Sequence, residues 1–211
     1  MTNIAPAIER FRRDTDAPAV LAATIDRDGG FEVEAVGIRR RDEPSTVVSI
    51  DDQVHIGSCG KAMTSALYAR LVEVGPVVIG KGNVIGAEHK YPDNPALLTP
   101  AGRYHLTLHD WARFITVILR NGDGFLTSDS IERLTTMPTS GSDGFAMGWA
   151  DAQHSGGSIA MQGSNTLWSA TVFIDEHMTI ASLVAVNDGR RRILENSAHL
   201  AHGLVFGTAP T

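Results

Sequence analysis

His55-Ile56-Gly57-Ser58-Cys59-Gly60-Lys61-Ala62-Met63-Thr64 is the stretch on which the reading of this chain turns. The apolar run Val54 to Ile56 meets a Gly-Ser pair. Ala62, Ala66, Leu67, Leu71 and Val72 then recur at helical intervals up to Gly75, so a strand or loop feeds a helix. A serine in the first turn of a helix lies near unpaired backbone N–H groups, and a lysine three positions later sits one turn on along the same face. Ser58 and Lys61 are so spaced, which sets an amine beside an alcohol. A desolvated amine gives up its proton more readily, and once neutral it can take the serine proton during attack on a carbonyl. The helix N-terminus favours the negative charge that develops. The bland alternative is a capping serine followed by a surface lysine.

On the N-terminal side, Asn3 is a candidate cap for an amphipathic helix carrying Ile4, Ala7, Ile8 and Phe11 on one face, ended by Asp16 to Pro18. Ala19–Ile25 and Phe31–Ile38 read as a β-hairpin around Asp28-Gly29-Gly30. On the C-terminal side, Pro76 to Pro100 shows no sustained period and reads as an irregular connection. Thr107 or Asp110 opens a helix with Trp111, Phe114, Ile115, Ile118 and Leu119 on one face, closed by Asn121-Gly122, and Ser128 to Met137 is a shorter helix. Phe145–Ala150 and Ser158–Gln162 pair through Gln153 to Gly157. Trp168–Ile174 and Thr179–Val186 pair around Asp175-Glu176-His177, and Ile193–Phe206 is a terminal helix after Asn187-Asp188-Gly189. The order implies an α+β fold in which both chain ends contribute to one antiparallel sheet.

The 211 residues suit one domain, 1–211, with a continuous core, and 43% apolar against 20% charged residues excludes a disordered chain or a membrane span. A net charge of −6 argues against nucleic acid as a partner. A single cysteine, Cys59, cannot form an internal disulfide, and Met1 to Pro18 carries no signal-like apolar run, so a cytoplasmic location is expected, with no membrane partner.

Val54 to Lys61, with Thr64 to Leu67 and Leu71 to Gly75, resembles the nucleophile helix of the serine β-lactamase and penicillin-binding-protein superfamily, closest to its class C-like branch of esterases and D-amino-acid peptidases. Pro100-Ala101-Gly102-Arg103-Tyr104-His105 with Leu108 to Phe114, then Gly148-Trp149, Gly163-Ser164-Asn165-Thr166-Leu167-Trp168 and Val186-Asn187-Asp188, are similar to later segments of that branch. The resemblance covers residues 54–75 and 95–206 closely and 1–60 loosely. It implies a β-lactamase/transpeptidase-like sheet with the terminal helices on one face and the nucleophile helix on the other. It implies no cofactor and no metal.

The chain departs from that pattern twice. Only Pro76 to Thr99 stands where the family has a helical subdomain bearing Tyr-x-Asn, and none of Tyr68, Tyr91 and Tyr104 is followed by x-Asn. The implied fold is therefore truncated, with a shallow, wet groove. Tyr91 either substitutes from the loop or packs its ring. The family's third motif, Lys-Thr-Gly or His-x-Gly, matches His154-Ser155-Gly156 by letters, but that string begins five residues after Trp149, in a hairpin loop. Aligning on Gly163-Ser164-Asn165 places Met161-Gln162-Gly163 at the motif, so an apolar side chain replaces the cation or imidazole. The backbone N–H groups of Ser58 and Ser164 then form the implied oxyanion hole. Met161, Gln162, Gly163, Asn165 and Tyr91 are expected to line the substrate groove.

Other residues carry structural readings: Cys59 as a small packed thiol, Arg190 to Arg192 as a solvated face, Trp111 and Trp168 as core or groove walls, Asn187 as a strand terminator. His105 with His109 and His199 with His202 have helical ligand spacing but no acidic partner motif. Two functions are in play. One is a serine hydrolase taking small ester or β-lactam-like acyl groups through a Ser58 acyl-enzyme. The other is a catalytically impaired binding or scaffold module that self-associates through surface left by the missing subdomain.

Overall fold

The computed structural model describes residues 3–74, 99–137 and 144–208. Its first helix, α1 (Ala5–Thr15), starts where Asn3 Oδ1 accepts the Ala5 N–H at 3.0 Å and stops at Asp16, in the left-handed region at φ 51°. Strands β1 (Ala19–Asp26) and β2 (Phe31–Gly37) form the expected hairpin. A short pair follows: β3 (Val54–His55) lies antiparallel to β4 (His105–Leu106). Between them come a 3-10 turn over Gly57–Cys59, helix α2 (Gly60–Val74) and a short α3 (Thr99–Gly102). Thr107 accepts the Asp110 N–H at 3.1 Å and so caps α4 (Leu108–Leu119). Thr127 does the same for α5 (Ser128–Thr135).

The stretch read as one strand, Phe145–Ala150, is two. Strands β5 (Phe145–Ala146) and β6 (Trp149–Asp151) fold about Met147 and Gly148, both at positive φ, 49° and 88°. Two successive positive φ values match the strand twist of a two-residue hairpin, and Met at the first position hid the signal that Asn or Asp would have given. Strands β7 (Gly157–Ser164), β8 (Ser169–Asp175) and β9 (Ile180–Val186) precede α6 (Arg191–Phe206).

Seven strands make one antiparallel sheet in the order β2-β1-β9-β8-β7-β6-β5, so the two chain halves meet at β1–β9. Alternation divides the side chains between two cores. Leu21, Ala23, Ile159, Val172 and Leu183 face α2, α4 and α5, with Trp111 and Trp149 filling that layer. Val20, Ala22, Phe173 and Val184 face α1 and α6. The molecule is α+β, an antiparallel sheet flanked by helices on both faces. Among the described residues no helix is long and apolar enough to cross a membrane.

Candidate active site

Ser58 sits in the 3-10 turn that opens α2, and Lys61 lies on the first turn of the helix proper. Both are half-buried, and the Lys61 Nζ is hydrogen-bonded to the Ser58 Oγ. The i, i+3 spacing makes this contact local, so it follows from helix formation alone.

The second half of the arrangement is long-range. Strand β7 runs its Gly163-Ser164 end directly over the turn. A β-carbon built on Gly163 would lie 2.3 Å from the Ile56 carbonyl oxygen and 2.4 Å from the Ser58 nitrogen, and one built on Gly57 would lie 2.5 Å from the Ser164 nitrogen. Those separations exclude any side chain at either position. Gly57 also has φ +51°, where a side chain is strained. The Ser58 and Ser164 backbone nitrogens thus both lie where β7 closes on the turn. Two N–H groups and an alcohol paired with an amine are the parts a tetrahedral acyl intermediate needs.

Three further residues shape the turn, none of them among the expected site residues. Gly148 abuts the start of α2, since a β-carbon there would meet the Ala62 nitrogen at 2.4 Å and the Lys61 carbonyl carbon at 2.6 Å. Tyr104 lays its ring over Gly60 and shares a hydrogen bond of 3.0 Å with the Thr64 hydroxyl. His55, 1% exposed, accepts the Gly57 N–H on Nδ1 at 3.0 Å.

Several groove assignments need correction. Gln162 points to the opposite face of the sheet, where Nε2 donates to the Leu194 carbonyl at 2.6 Å and to Thr171 Oγ1 at 3.2 Å. Neighbours in a strand face opposite ways, so the side chains of Met161 and Gln162 lie on opposite faces of the sheet. On that far side Gln162, Phe145, Ala160, Phe173, His199 and His202 border a separate cavity of about 500 Å³. Met161 faces the α2 side but is 7% exposed and belongs to the core. Asn165 uses Oδ1 to accept the Leu167 and Trp168 N–H groups at 3.1 and 2.8 Å, capping the β7–β8 turn. Tyr91 and nearly all of the connection 76–99 lie outside the described residues.

Cys59 is buried against the Met161 and Ala170 carbonyls, and burial pushes its thiol pKa far up, so it is a packed, unreactive group. The histidine pairs are separated by other contacts: His105 meets the His55 ring at 4.8 Å, His109 meets Phe31 at 5.0 Å, and His202 packs between Phe173 and Phe206 with Nε2 on the Ser155 carbonyl. Asn187 ties the Ala19 N–H at 2.7 Å to the Arg39 carbonyl at 3.0 Å, closing β9 onto the first hairpin. His154 and Ser155 lie in the 3-10 turn between β6 and β7.

No family model matches the chain, and no curated protein matches it in sequence. Solved structures do match in shape. An octameric penicillin-binding protein homologue from Pyrococcus abyssi superposes with a TM-score of 0.76 at 12% identity, over 99% of this chain and 78% of that one. SurE gives a TM-score of 0.74 and SurE with D-Leu 0.73, each at 11% identity over 99% of this chain and 76% of the other. Identities so low show a shared fold alone. The resemblance to the serine β-lactamase and penicillin-binding-protein superfamily's class C-like branch is therefore corrected. No family match carries it, and the structural neighbours include SurE, which is not a serine β-lactamase.

Proposed function

We propose that the chain is a serine hydrolase that takes small acyl substrates, esters or β-lactam-like amides, through a covalent intermediate on Ser58. The reading rests on one observation: the amine of Lys61 is on the Ser58 hydroxyl while Gly163-Ser164 is pressed against the same turn. We also read residues 1–211 as one domain of β-lactamase/transpeptidase-like fold, with 76–99 a short connection in place of a helical subdomain.

In the proposed cycle neutral Lys61 takes the Ser58 proton as Oγ bonds to the acyl carbon, and the carbonyl electron pair moves to oxygen, facing the Ser58 and Ser164 N–H groups. Collapse of the tetrahedral species breaks the bond to the leaving alkoxide, which receives the proton from Lys61. Water then repeats the sequence and frees Ser58. An alkoxide leaves with less help from an acid than an amine does, so esters are the favoured substrates. A D-amino-acyl ester belongs in the panel, because SurE, similar in fold, is described with D-Leu.

The test is mass spectrometry after exposure to a fluorophosphonate, a penicillin and a nitrophenyl ester. An adduct on Ser58, with the burst lowered about 10²–10⁴-fold in Lys61→Ala at unchanged folding, is expected. An intact chain that takes no adduct on Ser58 overturns the reading.

A second reading, a non-catalytic module that self-associates, is favoured by the outer face of α2, where Leu67, Leu71, Val72 and Val74 are exposed. The Pyrococcus homologue is octameric, and sedimentation of this chain tests whether it too assembles.

A further inference from the structure

His55 ends β3 immediately before the turn that carries Ser58. Its Nδ1 accepts the Gly57 N–H, which requires that nitrogen to be unprotonated. An acceptor on side chain i holding the N–H of residue i+2 is the geometry of an Asx turn, with an imidazole nitrogen in place of the carboxamide oxygen. The bond fixes the peptide between Ile56 and Gly57. Gly57 then turns through φ +51° and sets the direction of the Ser58 N–H and Cα–Cβ bonds. The same short segment is held elsewhere by backbone: the Ile56 N–H donates to the Tyr104 carbonyl at 3.1 Å, and Gly163 covers the Ile56 carbonyl and Ser58 nitrogen. Of these restraints, the His55 contact is the one that a proton can break.

We infer that His55 is a positioning residue for Ser58, its neutral imidazole holding the Gly57 amide and thereby aiming the serine hydroxyl and N–H at the acyl group. The inference deepens the hydrolase reading and rests on it. Protonation makes Nδ1 a donor that opposes the Gly57 N–H, so acylation falls as His55 takes up a proton on the acid side. Among the described residues, the ionisable groups on the neighbouring elements include His105, edge-on to the His55 ring from β4, Tyr104 next to it, Cys59 at the end of the 3-10 turn and Lys61 at the start of α2. His105→Gln therefore accompanies the experiment, to show that the acid limb belongs to His55.

The test compares acylation by a nitrophenyl ester, as a function of pH, in the parent chain, His55→Asn and His55→Leu. Asparagine presents an acceptor at the place of Nδ1, so it is expected to acylate within about twofold of the parent and to keep only the acid-side loss that protonation of the base Lys61 causes, and leucine to be slower by about tenfold or more. A 15N–15N coupling between Gly57 N and His55 Nδ1, present at neutral pH and lost in acid, reports the bond directly. Should the leucine variant fail to fold, that coupling and the difference between the acid limbs of the parent and His55→Asn decide the matter. Asparagine no better than leucine, or an absent coupling, overturns the positioning role while leaving the hydrolase reading intact. A parent chain that never acylates overturns both.

Discussion

The two faces of the sheet are built on different principles. On one, α6 buries Ile193, Leu200 and Ala201, and adds the Ser197–Thr171 hydroxyl pair at 2.8 Å and a bond from Ser182 Oγ to the Ala201 carbonyl at 2.7 Å. This is ordinary side-chain packing, which tolerates small rearrangement. On the other, α2 buries Gly60, Ala62 and Ala66 and leaves Leu67, Tyr68, Leu71 and Val72 exposed. It is docked by backbone against backbone, through Gly57, Gly163 and Gly148, with the Tyr104 ring on Gly60. A helix placed by glycines is placed to within one methyl group. Such close placement is what the nucleophile proposed at Ser58 needs, since its geometry has to be held closely.

The largest effect expected from this contrast is at Gly163. Gly163→Ala puts a carbon 2.3–2.4 Å from backbone atoms of the Ser58 turn, which cannot yield as a side-chain tip would. Ser58 labelling should fall at least about 100-fold and stability by about 1–3 kcal/mol, measured by adduct formation and urea unfolding. Leu200→Ala, on the α6 face, should do the reverse: a loss of about 2–4 kcal/mol of stability with the labelling rate of the folded protein unchanged. Equal labelling losses in the two variants would abolish the distinction between the faces.

A smaller effect concerns how α2 is tied to α5. Hydrogen bonds from Ser130, from the Thr127 amide and hydroxyl, and from Arg70 hold the Glu73 carboxyl down from its ordinary 4.5 to about 2. A carboxyl lowered by folding stabilises above its unfolded value and ceases to do so as pH falls through the folded one. Thermal unfolding between pH 6 and pH 2 should therefore show a loss below about pH 4.5 that is shallower in Glu73→Gln. Identical acid slopes would remove Glu73 from the account.

The Ser58–Lys61 pair was legible in the sequence because one helical turn contains it. The glycine that closes on it was also visible, as part of Gly163-Ser164, but only through a resemblance that the comparisons reduce to a shared fold. Gln162 was misplaced although period-two alternation already sends it away from Met161. Asn165 was misread because a turn cap and a groove residue look alike until the accepted N–H groups are known. His55 was passed over because its bond spans two residues without altering any periodicity.

What the amino-acid string settles by itself is local: amphipathic helices α1, α4 and α6, the β1–β2 and β8–β9 hairpins, and the meeting of Ser58 with Lys61. Each depends on residues a few positions apart, where propensity and spacing carry the interaction. The approach of residue 163 to residue 58, the division of the core between the two faces and the different anchoring of α2 and α6 belong to the tertiary structure. They arise from closing segments about a hundred residues apart. Such contacts form only when the whole sheet is assembled to offset the entropy of closure, and no short-range pattern encodes them.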